Sequence, residues 1–188
     1  WFARAGPLPC VCEGAHSGIH EGRRVGDWAC ALCRDEMISA VVQDAPVDTK
    51  LEDVQLLPVI PNPGVVWAAG MNTHSHYVEA KDAMGLKEIP KVPMFFLRAT
   101  NTLVASGEAL EKPLKEPAFD YEGEIALIIG RRCRNVSVED ALDYVAGYAP
   151  FNDGSARFYQ VSSNQVTTGK NAYRSGGFGP WMATADSL

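Results

Sequence analysis

The 188-residue chain predicts an α+β protein. Apolar stretches at 65–70, 93–97 and 125–130 have strand length and end in turn residues, whereas 72–85 and 137–146 carry helix caps and helical spacing. Prolines and a glycine at 58–64 set these elements apart from residues 1–57.

Residues 1–57 hold short hydrophobic runs such as Met37–Val42, and four of the five cysteines, as Cys10-x-Cys12 and Cys30-x-x-Cys33 with His16 and His20 between them. Thiols and imidazoles so grouped suit zinc, and the segment then reads as a zinc-stapled interaction module. The spacing departs from the common zinc classes, so free, partly buried thiols in a reducing compartment are the other reading. Pro58, Pro61, Pro63 and Gly64 mark a linker, and Val65–Gly70 reads as a buried strand.

Asn72–Ala80 passes from a loop into a helix, with Thr73 or Ser75 as N-cap and Gly85 as its end. His76 and Glu79 are neighbours on that helix. A carboxylate at this spacing holds an imidazole in one tautomer and stabilises its cation, as a general base acting on water requires. The pair also reads as an ordinary surface contact. His74 cannot share their face and is a bystander. A second strand, Pro93–Leu97, leads to Arg98 and Asn101.

Asp120, Glu122 and Glu124 alternate at the mouth of the apolar run Ile125–Gly130. In an extended chain they share one face, with neighbours about 6.6 Å apart. Buried together, such acids need a cation or a shared proton. A divalent metal is the simplest answer; a solvated strand end, with Gly123 at a bulge or edge, is the bland one. Asp153 in Asn152-Asp153-Gly154 is a third oxygen donor or a plain turn residue. It follows a predicted helix, in which Ser137 and Asp140 suit an N-cap, Ala141, Leu142, Val145 and Ala146 form one apolar stripe, and Gly147 stops it. Cys133, among Arg131, Arg132 and Arg134, reads as surface, and Lys170 as a solvated residue of a Gly-Lys-Asn loop.

Hydrophobic content of 46% supports a real core in one domain or one and a half. A net charge of -6, with no basic patch among aromatics, argues against nucleic acid. No stretch approaches the roughly 20 apolar residues of a membrane helix, and no signal core opens the chain, so the expectation is a soluble, cytoplasmic protein without a membrane partner. The start at Trp1 and the stop soon after Gly179-Pro180-Trp181 lead us to expect a fragment.

Taken in order, Gly70-Met71-Asn72 with His76 and Glu79, Phe96-Leu97-Arg98, Asp120–Glu124, Asn152–Arg157, Gly169-Lys170 and Gly179-Pro180-Trp181 resemble the fumarylacetoacetate hydrolase family over residues 58–188. The resemblance implies a small N-terminal domain and Pro-rich linker at 1–62, then a catalytic domain at 63–188 folded as a mixed β-sandwich roll, in a homodimer. It implies Mg²⁺ or Mn²⁺, with Ca²⁺ as an alternative, on Glu122, Glu124 and Asp153, and Asp120 orienting the site. All are hard oxygen donors, which favour these ions over zinc or copper.

The resemblance further implies a small 2-oxo or β-diketo acid as substrate. His76, held by Glu79, would activate water or take a carbon-bound proton, and Lys170 would stabilise an oxyanion. Arg98, Asn101 and Arg157 would contact substrate, with bracing Asp153 as the alternative role for Arg157. The expected reaction is C–C hydrolysis of an acylpyruvate-like acid. Decarboxylation, hydration and isomerisation share the same enolate chemistry, and a catalytically incomplete family member is the remaining alternative. Thr73 and Asn101 stand where the family usually has Tyr and Ser or Thr, and the family normally continues well past residue 188.

Overall fold

The computed structural model of the chain describes residues 49–82, 88, 91–163 and 165–188. The cysteine and histidine cluster at 10–33, the run Met37–Val42 and Gly85 lie outside these residues.

Strand β1 (Val66–Gly70) pairs antiparallel with β2 (Met94–Arg98), placing Val66 opposite Arg98 and Ala68 opposite Phe96. That face turns inward and buries Phe96 and Arg98, while Trp67, Phe95 and Leu97 on the other face stay exposed. Between the two strands lies helix α1 (His74–Ala80). Thr73 is its N-cap, its side chain accepting from His76 N at 3.3 Å, which settles the choice between Thr73 and Ser75.

The remaining elements are β3 (Leu103–Val104), β4 (Phe119–Asp120), β5 (Gly123–Ile129), β6 (Val145–Asp153), β7 (Ser155–Ala156), α2 (Arg157–Val161), α3 (Thr167–Lys170), β8 (Gly176–Phe178) and β9 (Ala183–Thr184). A mixed sheet runs in the order β3-β8-β6-β5, and β9 also pairs with β6. The β3–β8 pair is parallel and the others antiparallel. Strand β4 pairs with β7 in a separate two-stranded ribbon. The α+β class and its mixed sheets therefore stand.

The predicted helix at 137–146 does not form. Its cap does, since Ser137 Oγ donates to Asp140 Oδ2 at 2.8 Å and accepts from Asp140 N at 3.2 Å. A 3-10 turn at Ala141–Tyr144 follows, and from Val145 the chain is strand. Pairing with apolar β5, Ala126 opposite Ala149 and Leu127 opposite Tyr148, overrides the local helical spacing. Gly147 is thus no helix stop. It sits inside β6 where a Cβ would come within 2.2 Å of the Ala183 carbonyl oxygen, so β9 can approach only a glycine there.

Leu103, Ala149 and Phe178 form the buried core, against which Val66, Ala126, Ile128 and Phe151 pack. Val59 and Ile60 of the Pro-rich segment pack there too, and Val59 N donates to Phe178 O at 3.3 Å. That segment is more than a spacer. The buried set also contains Arg98, Glu116, Asp153, Ser155, Lys170 and Ser175, a polar interior beside the apolar one. Among the described residues no helix is long and apolar enough to cross a membrane.

Gly147→Ala should destabilise the fold by about 1–3 kcal/mol through overpacking. Gly64→Ala, where nothing lies within 4 Å of the added carbon, should be near neutral; urea unfolding of the two variants checks this.

Candidate functional site

Asp153 ends β6 and is buried. Its amide donates to Glu122 O at 2.8 Å, which brings the acid-rich stretch before β5 beside it. Two cations meet its carboxylate. Arg98 Nη1 donates to Oδ1, and Lys170 Nζ donates to Oδ2 at 2.6 Å. Gly154, where a Cβ would lie 2.2 Å from Ser175 O, lets the Ser175 backbone approach the chain between β6 and β7.

The Arg98 side chain is 0% exposed. Its Nη2 donates to Ser175 Oγ at 2.7 Å, its guanidinium lies 5.6 Å from the Phe151 ring centroid, and its Nε is buried without a partner among the described residues. Burial draws its pKa down, and the Asp153 charge opposes that shift. Arg98 was expected to contact substrate. The structure encloses it behind Asp153, where it fixes the carboxylate instead.

Lys170 is likewise not the solvated loop residue its context predicts. It ends the short helix α3 and is buried, because two acids offset its charge. Besides Asp153, its Nζ contacts Glu122 Oε1 at 2.9 Å. Gly169 allows this, since a Cβ there would fall 2.6 Å from Gln160 N and Cα of α2. Asn171 locks the turn in place. Its Oδ1 accepts from Ala99 N at 2.6 Å, and its Nδ2 donates to Leu97 O at 2.8 Å and Thr167 O at 3.0 Å.

Glu122 is half-buried and also receives Arg157 Nη1 and Ser155 Oγ, the latter at 3.0 Å. Burial pushes its carboxyl up, but Lys170, Arg157 and Ser155 together hold it below the ordinary range. Arg157 further donates from Nε at 3.1 Å and Nη2 at 2.8 Å to Asp120 Oδ2, which lowers the Asp120 pKa. Arg157 was expected to brace Asp153; it braces Asp120 and Glu122. Glu116 escaped the sequence reading altogether. It is 1% exposed, and its carboxylate accepts from Ala118 N at 2.8 Å, Phe158 N at 3.2 Å and Tyr159 N at 3.4 Å, capping the helix that Arg157 begins. No sequence signal marks it, since the amides it binds lie in part some forty residues away.

Glu124 differs from its neighbours. It is exposed and has no ion pair or hydrogen bond among the described residues. Burial and the like charges of Glu122 and Asp153 raise its carboxyl pKa, opposed by the charges of Lys170 and His76. Among the described residues His76 and Glu79 are not hydrogen-bonded to each other, and both are exposed. His74 lies 6.5 Å from Tyr77, ring to ring, and Asn101 is exposed in a 3-10 turn just beyond Arg98.

Among the described residues no three His, Cys, Asp and Glu side chains converge tightly enough to hold a metal on their own. Lys170 and Arg157 stand among the acids instead. The donor chemistry still fits a hard divalent cation. Three carboxylates lie close enough to repel, and the surplus charge falls on Glu124, which has no counter-ion among the described residues. Glu122, Glu124 and Asp153 are the residues that would hold such an ion.

Paired charges in an interior beside an uncompensated acid are an arrangement in which perturbed pKa values and functional sites are found together. Residues 65–188 match the family model described as the fumarylacetoacetate (FAA) hydrolase C-terminal domain, and the chain belongs to the fumarylacetoacetate hydrolase family. It is similar to the fumarylacetoacetate hydrolase domain-containing protein 2 homolog of Dictyostelium discoideum, 40% identical over 102 residues, 54% of this chain and 32% of that protein. The mitochondrial oxaloacetate tautomerase of Xenopus laevis is 32% identical over 138 residues, 72% of this chain and 42% of that protein. Among solved structures, 2-hydroxyhepta-2,4-diene-1,7-dioate isomerase from Mycobacterium marinum superposes with a TM-score of 0.60 at 31% identity, covering 72% of this chain and 47% of that one. The chain spans less than half the length of each. The family's enzymes include both hydrolases and isomerases acting on oxo acids.

Two outcomes follow from the charges. Asp153→Asn should cost about 3–5 kcal/mol in denaturant unfolding by leaving Arg98 buried and uncompensated, and adding Arg98→Met should recover part of the loss. Glu124 has a folded pKa above its unfolded one, so its ionisation opposes folding, and that penalty is complete only above the raised value. Glu124→Gln should therefore raise Tm at neutral pH, and the gain should fade as pH falls and Glu124 itself takes a proton.

Proposed function

We propose that this chain carries the site of a divalent-metal-dependent enzyme that enolises a small 2-oxo acid, in the manner of an isomerase or tautomerase. The observation that carries the reading is the surplus negative charge at Glu124, beside Glu122 and Asp153 and within electrostatic reach of His76. A bound Mg²⁺ or Mn²⁺ supplies Lewis-acid stabilisation of negative charge on adjacent carboxylate and keto oxygens.

The chain's own residues do the rest. His76, on exposed α1, takes the proton from the carbon beside the keto group and returns it to the product. Lys170 meets the oxygen on which negative charge develops. Arg157 holds Glu122 and Asp120 in register and turns its exposed edge, with Asn101, toward the substrate carboxylate. Arg98 keeps Asp153 ionised and fixed. The reading draws support from the tautomerase and the isomerase among the relatives. Hydrolytic C–C cleavage of an acylpyruvate is the second reading. It requires Glu79 to swing onto His76 so that the imidazole can activate water, and the three-residue spacing on α1 permits this.

Calorimetric titration with Mn²⁺ tests the site. Glu122→Gln and Glu124→Gln should lose binding, and retention of affinity in both would sink the ligand assignment. With Mn²⁺ present, His76→Ala should bind the ion as the parent does yet lose enol–keto conversion of oxaloacetate by roughly 10²–10⁴-fold, followed by ultraviolet absorbance. Turnover of an acylpyruvate but not of oxaloacetate would select the hydrolytic reading.

A further inference from the structure

We propose that Lys170 is the resident counter-cation of the Glu122–Asp153 pair, and that a divalent ion bound by the same oxygens displaces its ammonium toward the substrate. Metal loading and release of the oxyanion-binding lysine then become one event. The inference rests on the metal-site reading above.

One Nζ contacts Glu122 Oε1 at 2.9 Å and Asp153 Oδ2 at 2.6 Å, so it lies between the two acids, where a cation shared by them has to sit. Neither acid depends on it alone. Arg98 remains on Asp153, and Arg157 with Ser155 remains on Glu122. The acids Asp120, Glu122, Glu124 and Asp153 face Arg98, Arg157 and Lys170, one negative charge in excess. Two added positive charges make the cluster positive and repel its own cations. Of those three, the arginines are fixed by two or more acceptors in forked geometry, whereas the lysine is a point charge on a flexible stem, so it is the one that moves. Its backbone stays behind, because Asn171 ties the α3 turn to Leu97 and Ala99. The motion is confined to the side chain, which passes the Phe96 ring now 5.4 Å from Nζ. A negatively charged oxo acid entering beside the metal receives it.

The test titrates Mn²⁺ into the wild-type chain and Lys170→Met by calorimetry, and follows acylation of Lys170 by mass spectrometry with and without Mn²⁺, using exposed Lys115 as reference. The proposal expects binding tighter by on the order of tenfold in Lys170→Met. It also expects Lys170, 2% exposed, to become reactive only when Mn²⁺ is added. Tighter binding with Lys170 still protected reduces the effect to removal of a nearby charge and overturns displacement. Equal or weaker binding overturns it as well. If Mn²⁺ binds neither protein, the metal-site reading fails and takes this one with it. Should Lys170→Met fail to fold by circular dichroism, acylation of the wild-type lysine decides alone.

Discussion

The carboxylate of Asp153 is the constraint on which the rest of the structure depends. A buried anion is tolerated only when cations and hydrogen bonds replace the water it has lost. Here one replacement comes from Arg98 at the end of β2 and the other from Lys170 at the end of α3, so strands and a helical turn far apart in sequence must meet at the end of β6. That meeting is crowded. Gly154, Gly169 and Gly176 each stand where a Cβ would strike a neighbour at 2.2 to 2.8 Å, and in the last case the neighbour is the Arg98 guanidinium itself. Gly176 thus makes room for a member of the charge cluster itself, and Gly154 and Gly169 for the chain packed around it.

Across the cluster, compensation falls off from Asp153 and Glu122 to Asp120 and then to Glu124. Asp153 has two cations, Glu122 has Lys170, Arg157 and a hydroxyl, and Asp120 has Arg157 alone. Glu124 has none among the described residues. The directions of the carboxyl pKa shifts follow the same order, lowered at Glu122 and Asp120 and raised at Glu124. The cluster thus presents its unmet negative charge at the exposed edge, where an ion can enter, and not in the interior, where one would be trapped.

This gradient explains which parts of the site could be read from the sequence. Alternation of Asp120, Glu122 and Glu124 is a local property of an extended chain, and the acids do converge near Asp153. Thr73 as a cap and Val66–Gly70 as a strand are local too. Arg98, Lys170 and the stretch 145–153 were misjudged for one shared reason. Each is set by a partner 16 or more residues away: Asp153 for the two cations, and β5 for a strand whose own spacing reads as helix. Glu116 is the extreme case, an acid with no motif around it whose function is to bind amides across some forty residues of chain.

Glu116 and Asp153 also show two ways of keeping a carboxylate inside a protein, and the difference bears on chemistry. Burial pushes the Glu116 carboxyl up, yet the backbone amides of Ala118, Phe158 and Tyr159 hold it below the usual range. Those donors belong to the fold and cannot leave without unfolding α2. Asp153 and Glu122 are satisfied instead by side-chain cations, one of which, Lys170, both acids share. A carboxylate fixed by backbone can only anchor. A carboxylate held by a lysine can exchange that partner for another cation at no cost to the backbone, and such exchangeable pairs lie where Glu124 and His76 open the cluster to solvent. The fold has placed its immovable acid at the start of α2 and its exchangeable acids next to Glu124, which is the division a site must have if its scaffold is to stay rigid while its charges change partners.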